Sequence, residues 1–197
     1  MDLLLIRHGQ SEANAKKLLI STDKDGLTNS GRAQSARLRQ TLDEMAIVPS
    51  VIYCSPWQRA RETAEIVFHD ATAMQFDARL AETHPGIYGT WLEADFNAKF
   101  PDFNKLIGNT YEGGESHLDM TNRAKDWIAS EVLPRTQTEG LLVAVAHGGP
   151  ISAILQHLLD IPIESNYPSF TVPNASFTFL KWRDDLARYC AVQVGHV

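Results

Sequence analysis

Three short segments of the chain carry residue types suited to phosphoryl chemistry: Arg7-His8-Gly9, Ser55-Pro56-Trp57-Gln58-Arg59 and His147-Gly148-Gly149. Each follows directly on an apolar run. Taken alone, a histidine at a strand end is usually a hydrogen-bonded structural residue, and an arginine in a first helical turn is usually a solvated charge. Together, two arginines and two histidines make a pocket for a phosphoryl group. Guanidinium groups bind phosphate oxygens in bidentate fashion, stay charged, and neutralise charge that spreads over the equatorial oxygens during transfer. A neutral imidazole is a nucleophile, and neighbouring Arg7 and Arg59 favour the neutral form by disfavouring a second positive charge. Gly9, Gly148 and Gly149 let backbone N–H groups come close to an anion.

These residues converge only if the preceding runs are parallel strands. Leu3 to Ile6, Val51 to Cys54 and Leu141 to Ala146 are continuous apolar runs, as expected for strands buried on both faces of a sheet. Each is followed by a turn and a helical pattern. Leu38, Leu42 and Met45 mark one face of a helix between Ser30 and Ala46. Ser55-Pro56 reads as an N-cap and first-position pair for a helix carrying Ala60, Ala64 and Val67. A third helix is expected from Ser116, capped with Asp119, to Pro134, and a fourth from Pro150 through Leu158. Ser176 to Trp182 and Arg188 to Val194 read as strands joined by a turn at Asp184-Asp185. The expected fold class is α/β: a mainly parallel central sheet flanked by helices on both faces. Ligands in such sheets bind outside the carboxyl ends of the strands, where all three segments lie.

Residues 1–197 show no repeat or long linker and read as a single domain. Residues 83 to 115 break the strand-helix rhythm and read as a small cap insertion over the C-terminal strand ends. Trp91, Phe96, Phe100, Phe103 and Tyr111 recur there without a period. A core of this size needs neither disulfides nor a structural metal, and Cys54 and Cys190 have no metal-binding or redox spacing, which suits reduced thiols in a cytoplasm. No apolar stretch approaches the roughly 18 to 20 residues of a membrane span. Four apolar residues before Arg7, with no basic region ahead, do not make a secretory signal. The net charge of −6 argues against a nucleic-acid partner. It does not exclude a small anion: residues 1–63 hold 9 basic and 7 acidic side chains, whereas residues 64–197 hold 9 and 17, so the acidity lies away from most of the candidate pocket.

The motifs resemble those of the histidine phosphatase superfamily, the phosphoglycerate mutase-like fold. The resemblance rests on five blocks in family order. They are Arg7-His8-Gly9-Gln10-Ser11-Glu12-Ala13-Asn14, Leu27-Thr28-Asn29-Ser30-Gly31-Arg32-Ala33-Gln34, the stretch from Ser55 through Arg59 to Ala64, Gly113-Gly114-Glu115-Ser116, and Ala146-His147-Gly148-Gly149-Pro150-Ile151. The resemblance implies that His8 is the phosphohistidine nucleophile and that Arg7, Arg59 and His147 complete the phosphate pocket. It also implies that Asn14 contacts the phosphate and that Ser11 lies at the pocket edge. The family's proton donor is a glutamate in Leu-x-Glu followed by glycine, which Leu80-Ala81-Glu82 and Gly86 match; Glu82 would protonate the leaving alkoxide.

The chain departs from the phosphatase pattern Gly-x-Trp-Glu-Gly, reading Gly86-Ile87-Tyr88-Gly89-Thr90-Trp91. Glu82-Thr83-His84-Pro85-Gly86 instead resembles the Glu-x-His-x-Gly of the mutases, and His84 is left without an assigned role. Cofactor-dependent mutases, however, carry a longer insertion and a lysine shortly after this motif; here none occurs between Arg79 and Ala98. The aromatics of the insertion suit an organic phosphate with an apolar or neutral body. The expected function is a phosphomonoester phosphatase acting on a small phosphorylated metabolite, with no metal and no cofactor. The alternatives are a cofactor-dependent phosphoglycerate mutase, a non-catalytic phospho-ligand-binding module and a phosphoprotein phosphatase. His69, His117, His157 and His196 are expected to be structural or surface residues.

Overall fold

The computed structural model describes residues 1–69, 74–163, 165 and 169–197. In chain order, β1 (Asp2–Arg7) leads through the short α1 (Glu12–Lys16) to α2 (Asn29–Glu44). There follow β2 (Val51–Cys54), α3 (Gln58–Val67) and β3 (Met74–Phe76). After α4 (Glu93–Lys99) and α5 (His117–Trp127) come β4 (Leu141–Ala146), α6 (Gly148–Leu158), β5 (Phe177–Arg183) and β6 (Arg188–His196). The six strands form one sheet in the order β3-β2-β4-β1-β5-β6. β3, β2, β4 and β1 are mutually parallel, while β5 runs antiparallel to both β1 and β6.

Alternation along β1 explains the two-sided layering. Leu3 and Leu5 pack with Met120, Trp127, Ile151 and Ile154 of α5 and α6, whereas Leu4 and Ile6 pack with Leu38, Leu42, Ala60 and Ala64 of α2 and α3. Burial on both faces is why β4, fully buried along its length at the centre of the sheet, is apolar without interruption. The parallel pairing of β2, β4 and β1 brings the residues that follow them to one rim.

Several local expectations are corrected. α3 is capped by the backbone of Trp57 and starts at Gln58, two residues beyond the expected Ser55-Pro56 pair. The Ser55 hydroxyl is engaged instead with the His147 ring and the Trp57 N–H. α6 starts at Gly148, placing Pro150 in its first turn, where the missing N–H costs nothing. The helix from Ser116 has the expected capping box with Asp119, but regular α-helix ends at Trp127 and gives way to a wider π-type turn and then a 3₁₀ turn containing Pro134. The short strand β3 has no counterpart among the expected elements, since three residues carry too little pattern to register.

The insertion builds a core of its own. Tyr88, Phe96 and Tyr111 are buried together, with Trp91, Phe100, Phe103, Leu19 and Ile20 packed around them. Phe96 lies 4.9 to 5.4 Å, centroid to centroid, from the rings of Tyr88, Phe100, Phe103 and Tyr111. A segment with no strand in the main sheet must bury apolar area among its own side chains, which is what these rings do.

Candidate active site

His8 continues β1 into the rim. Its N–H donates to Ala146 O, and its carbonyl accepts from the Ala175 N–H and the Asn174 amide, so the residue is fixed from both neighbouring strands. The Gly31 backbone presses against this loop so closely that a Cβ would sit 2.0 Å from Gln10 O. The His8 ring is buried, and its Nδ1 lies 2.7 Å from Gly9 O. A carbonyl only accepts, so Nδ1 carries the proton and Nε2 presents a lone pair. Arg59 Nε donates to that lone pair at 3.1 Å. Burial, then Arg59, then Arg7 hold the His8 imidazole well below its ordinary pKa, keeping it neutral.

Arg59 comes from the first turn of α3 and is buried against Trp57, with its guanidinium 4.5 Å from the ring centroid. Its Nη1 donates to Thr22 O at 3.0 Å and lies 3.9 Å from Asp25. Desolvation lowers its pKa to about 10, so it remains a cation at neutral pH. Arg7 is anchored by Nη1 on Val172 O, while its Nε is buried with no partner among the described residues. His147 sits 4.9 Å from the His8 ring, with Nε2 against Ser55 Oγ at 2.8 Å and Nδ1 buried without a partner among the described residues. Burial and the two arginines also hold this imidazole well below the usual range. Arg7 Nε and His147 Nδ1 are thus buried polar atoms at the same rim as the His8 lone pair, an arrangement that fits a tetrahedral oxyanion.

Glu82 joins this rim from the loop before the insertion. Its Oε1 accepts from the Thr83 N–H at 3.0 Å and its Oε2 from the Gly149 N–H at 3.1 Å, at the N-terminus of α6. A Cβ on Gly149 would lie 2.3 Å from Glu82 Oε1, so only glycine allows the carboxylate to dock there. The Gly149 N–H expected to face an anion is used to hold Glu82 instead. The loop is clamped by Arg123, whose guanidinium donates to the carbonyls of Arg79, Ala81 and Glu82 and pairs with the Glu115 carboxylate at 2.6 Å.

Asn14 and Ser11 form the capping box of α1: the Ser11 hydroxyl accepts from Asn14 N and the Asn14 carbonyl oxygen accepts from Ser11 N. Asn14 Oδ1 also accepts from Asn174 Nδ2 at 3.1 Å, which leaves its amide nitrogen as the donor for a ligand. Ser11 is fully buried, with its hydroxyl engaged in this cap. Gly148 packs against the Arg7 guanidinium; a Cβ there would be 3.5 Å from its central carbon. His84 is exposed, with its Nδ1 accepting from Gly86 N and its backbone bonded to Glu115, so its place is in the loop. His117, expected to be a structural or surface residue, lines the cavity together with Glu82. Asn174 and Arg123 are site-building residues that the sequence does not mark, while Ser55 and Thr63, which lie within a motif block, take roles the motif does not assign: Ser55 on the His147 ring, and Thr63 accepting from Gly9 N.

A cavity of about 670 Å³ extends from Arg7, Glu82 and Gly149 out to α4 and to the segment preceding β5. Of the five aromatics expected to shape it, only Tyr111 is among the residues that line it; the other four belong to the insertion's own core. Among the described residues, no group of three or more His, Cys, Asp or Glu is placed to hold a metal ion, and no helix is long and apolar enough to cross a membrane.

Known proteins resemble this chain in sequence and in fold. The chain is 27% identical over 209 residues to a glucosyl-3-phosphoglycerate phosphatase of Mycobacterium tuberculosis, covering 93% of this chain and 92% of the relative. It is 27% identical over 191 residues to a 2,3-bisphosphoglycerate-dependent phosphoglycerate mutase of Corynebacterium diphtheriae, covering 81% of this chain and 77% of the mutase. The solved structure of a mycobacterial glucosyl-3-phosphoglycerate phosphatase in complex with VO3 superposes with a TM-score of 0.81 at 27% identity, over 100% of this chain and 99% of that one. The family model of the histidine phosphatase superfamily (branch 1) matches residues 3–193, and the chain belongs to that superfamily.

Proposed function

We propose that the protein is a phosphomonoester phosphatase that hydrolyses a small phosphorylated metabolite through a phosphohistidine on His8. The observation that carries this reading is the His8 tautomer: with Nδ1 donating to Gly9 O, the Nε2 lone pair is the nucleophile, and among the described residues the Arg59 N–H alone is bonded to it. In the first step Arg59 moves from Nε2 to the phosphoryl oxygens. Nε2 then forms the P–N bond as the P–O bond to the alcohol breaks, and Glu82 delivers a proton to the leaving oxygen. In the second step Glu82 takes a proton from water, whose oxygen attacks phosphorus in line; the P–N bond breaks and inorganic phosphate leaves. Arg7, Arg59, the Asn14 amide, the Gly148 backbone and His147 hold the phosphoryl oxygens. With the Ser55 hydroxyl donating to Nε2, His147 offers an Nδ1–H to one of those oxygens. The arginines supply the positive charge that magnesium provides in other phosphoryl-transfer enzymes, so the reaction runs without a metal. Free Cys54 and Cys190 support a cytoplasmic location.

His8→Ala is expected to abolish turnover of an aryl phosphate with the fold intact by circular dichroism, and undiminished turnover would remove His8 as nucleophile. In the same assay Glu82→Gln is expected to slow alkyl phosphates about 10²-fold or more and aryl phosphates far less, because only the alkyl leaving group needs the proton. Equal losses on both would take the acid role from Glu82.

A further inference from the structure

The cavity beyond the phosphate end has a charge pattern that selects among phosphate esters. Ile20, Phe170 and Val172 give it an apolar side, and Glu93, Asn97 and Asn104 give it a polar one. Glu93 and Asn97 stand four residues apart on α4, so their side chains share one helical face. Among the described residues Arg7 is the only lysine or arginine lining the cavity, and it serves the phosphate end. Two carboxylates, Glu82 and Glu93, line it as well. His117 adds no compensating cation at neutral pH, since burial outweighs the pull of Glu82 and moves its pKa down. Lys16 and Lys17 line a neighbouring groove that shares Glu93 and Asn97 with the cavity, so the carboxylate of Glu93 stands at the boundary between those lysines and any substrate. Lys16 is in addition paired with Glu12 at 3.7 Å.

From this arrangement we propose that the substrate is the phosphate monoester of an uncharged, hydroxyl-bearing alcohol such as a polyol or sugar, and that Glu93 is the residue that rejects esters carrying a second anionic group. The inference rests on the phosphatase reading above and deepens it. Hydroxyl groups on the alcohol donate to Glu93 and bond with Asn97 and Asn104, while its C–H face lies against Phe170 and Val172. A carboxylate or second phosphate at the same place would meet Glu93 with no partner cation, an unfavourable contact that discriminates by repulsion as much as by attraction. The roughly 670 Å³ available leaves ample room for such a body beyond the phosphate.

The matched pair for the test is glycerol 3-phosphate and 3-phosphoglycerate, which differ by a hydroxymethyl against a carboxylate on the same carbon skeleton. An aryl phosphate serves as the reference for activity. The expected result is a kcat/KM for glycerol 3-phosphate about tenfold or more above that for 3-phosphoglycerate. Glu93→Lys is expected to shrink that ratio by about tenfold, and Glu93→Gln by less, as the charge at the boundary is reversed or removed. Glu93 is exposed at the start of α4, so both variants retain the fold, which circular dichroism checks. Asn97→Ala is expected to raise KM for glycerol 3-phosphate several-fold while changing kcat little. A wild-type preference for 3-phosphoglycerate, equal use of the two esters, or a ratio that Glu93→Lys leaves unmoved would each overturn the inference while leaving the phosphatase reading intact. Absence of turnover on the aryl phosphate as well would instead overturn the phosphatase reading and the inference with it.

Discussion

The two ends of the cavity are built by different means. At the phosphate end the groups are held by bonds at the rim of the parallel strands: the His8 backbone between β4 and the segment before β5, His147 Nε2 against the Ser55 hydroxyl, and the Glu82 carboxylate on the Gly149 N–H. At the alcohol end one wall is α4, a seven-residue helix whose Leu92 N-cap makes no side-chain bond and whose only buried residue is Phe96. The first construction holds reacting atoms in place, which a displacement reaction requires. The second depends on a small aromatic cluster and can change its lining without disturbing the sheet. One fold thereby keeps its chemistry while its choice of alcohol is set elsewhere, as expected where function lives in sites grafted on a scaffold.

Substitutions one layer back from each end separate the two. Arg123→Ala removes five bonds, three to carbonyls of the Glu82 loop and two to the Glu115 carboxylate. Alkyl phosphate turnover is expected to fall about 10²-fold and aryl phosphate turnover much less, because misplacing the acid by about 1 Å is costly only where a proton is needed. Equal losses would mean that Arg123 supports the fold generally. A smaller effect on chemistry is expected from Phe96→Ala at the other end. Loss of a buried ring at the centre of the insertion's core costs about 3–5 kcal/mol locally, so hydrogen exchange should quicken across residues 86–111 while β1 and β4 stay protected. The KM of alkyl substrates should rise with aryl kcat nearly unchanged; a collapse of aryl turnover would show that the two ends are not separable.

The smallest effect concerns pH. His8 and His147 are both buried neutral, with pKa values moved down chiefly by burial. Below about pH 6.5 the unfolded chain takes up protons on these residues while the folded chain does not, so stability falls on acidification, starting at the unfolded value. Melting temperatures from pH 7.5 to 5 should decline, and His8→Asn should make the decline shallower. An unchanged slope in that variant would mean that His8 takes up its proton over the same pH range folded and unfolded, and so is not held neutral by the fold.

How much was legible in the sequence follows the same division. Arg7, His8, Arg59 and His147 were legible because each ends an apolar strand or opens the helix after it, and the parallel pairing brings them together. Glu82 is marked by the family motif, but nothing in the sequence marks its docking on the Gly149 N–H. Asn174 and Arg123 escaped notice because they act on backbone carbonyls far away in the chain: Asn174 on His8, 166 residues away, and Arg123 on the Glu82 loop, 41 to 44 residues away. Side-chain bonds to distant carbonyls leave no periodic signature. The insertion's rings were visible as composition, but composition does not say whether an aromatic faces a ligand or its own neighbours.

The central claim is that phosphate passes through His8. Rapid acid-free quenching of the enzyme with a substrate labelled in its phosphoryl group tests it most directly. The account requires a transient, base-stable and acid-labile label on the protein, approaching one phosphate per chain, located on His8 and absent from His8→Ala. Release of labelled phosphate at the normal rate with no label ever bound to the protein would contradict it.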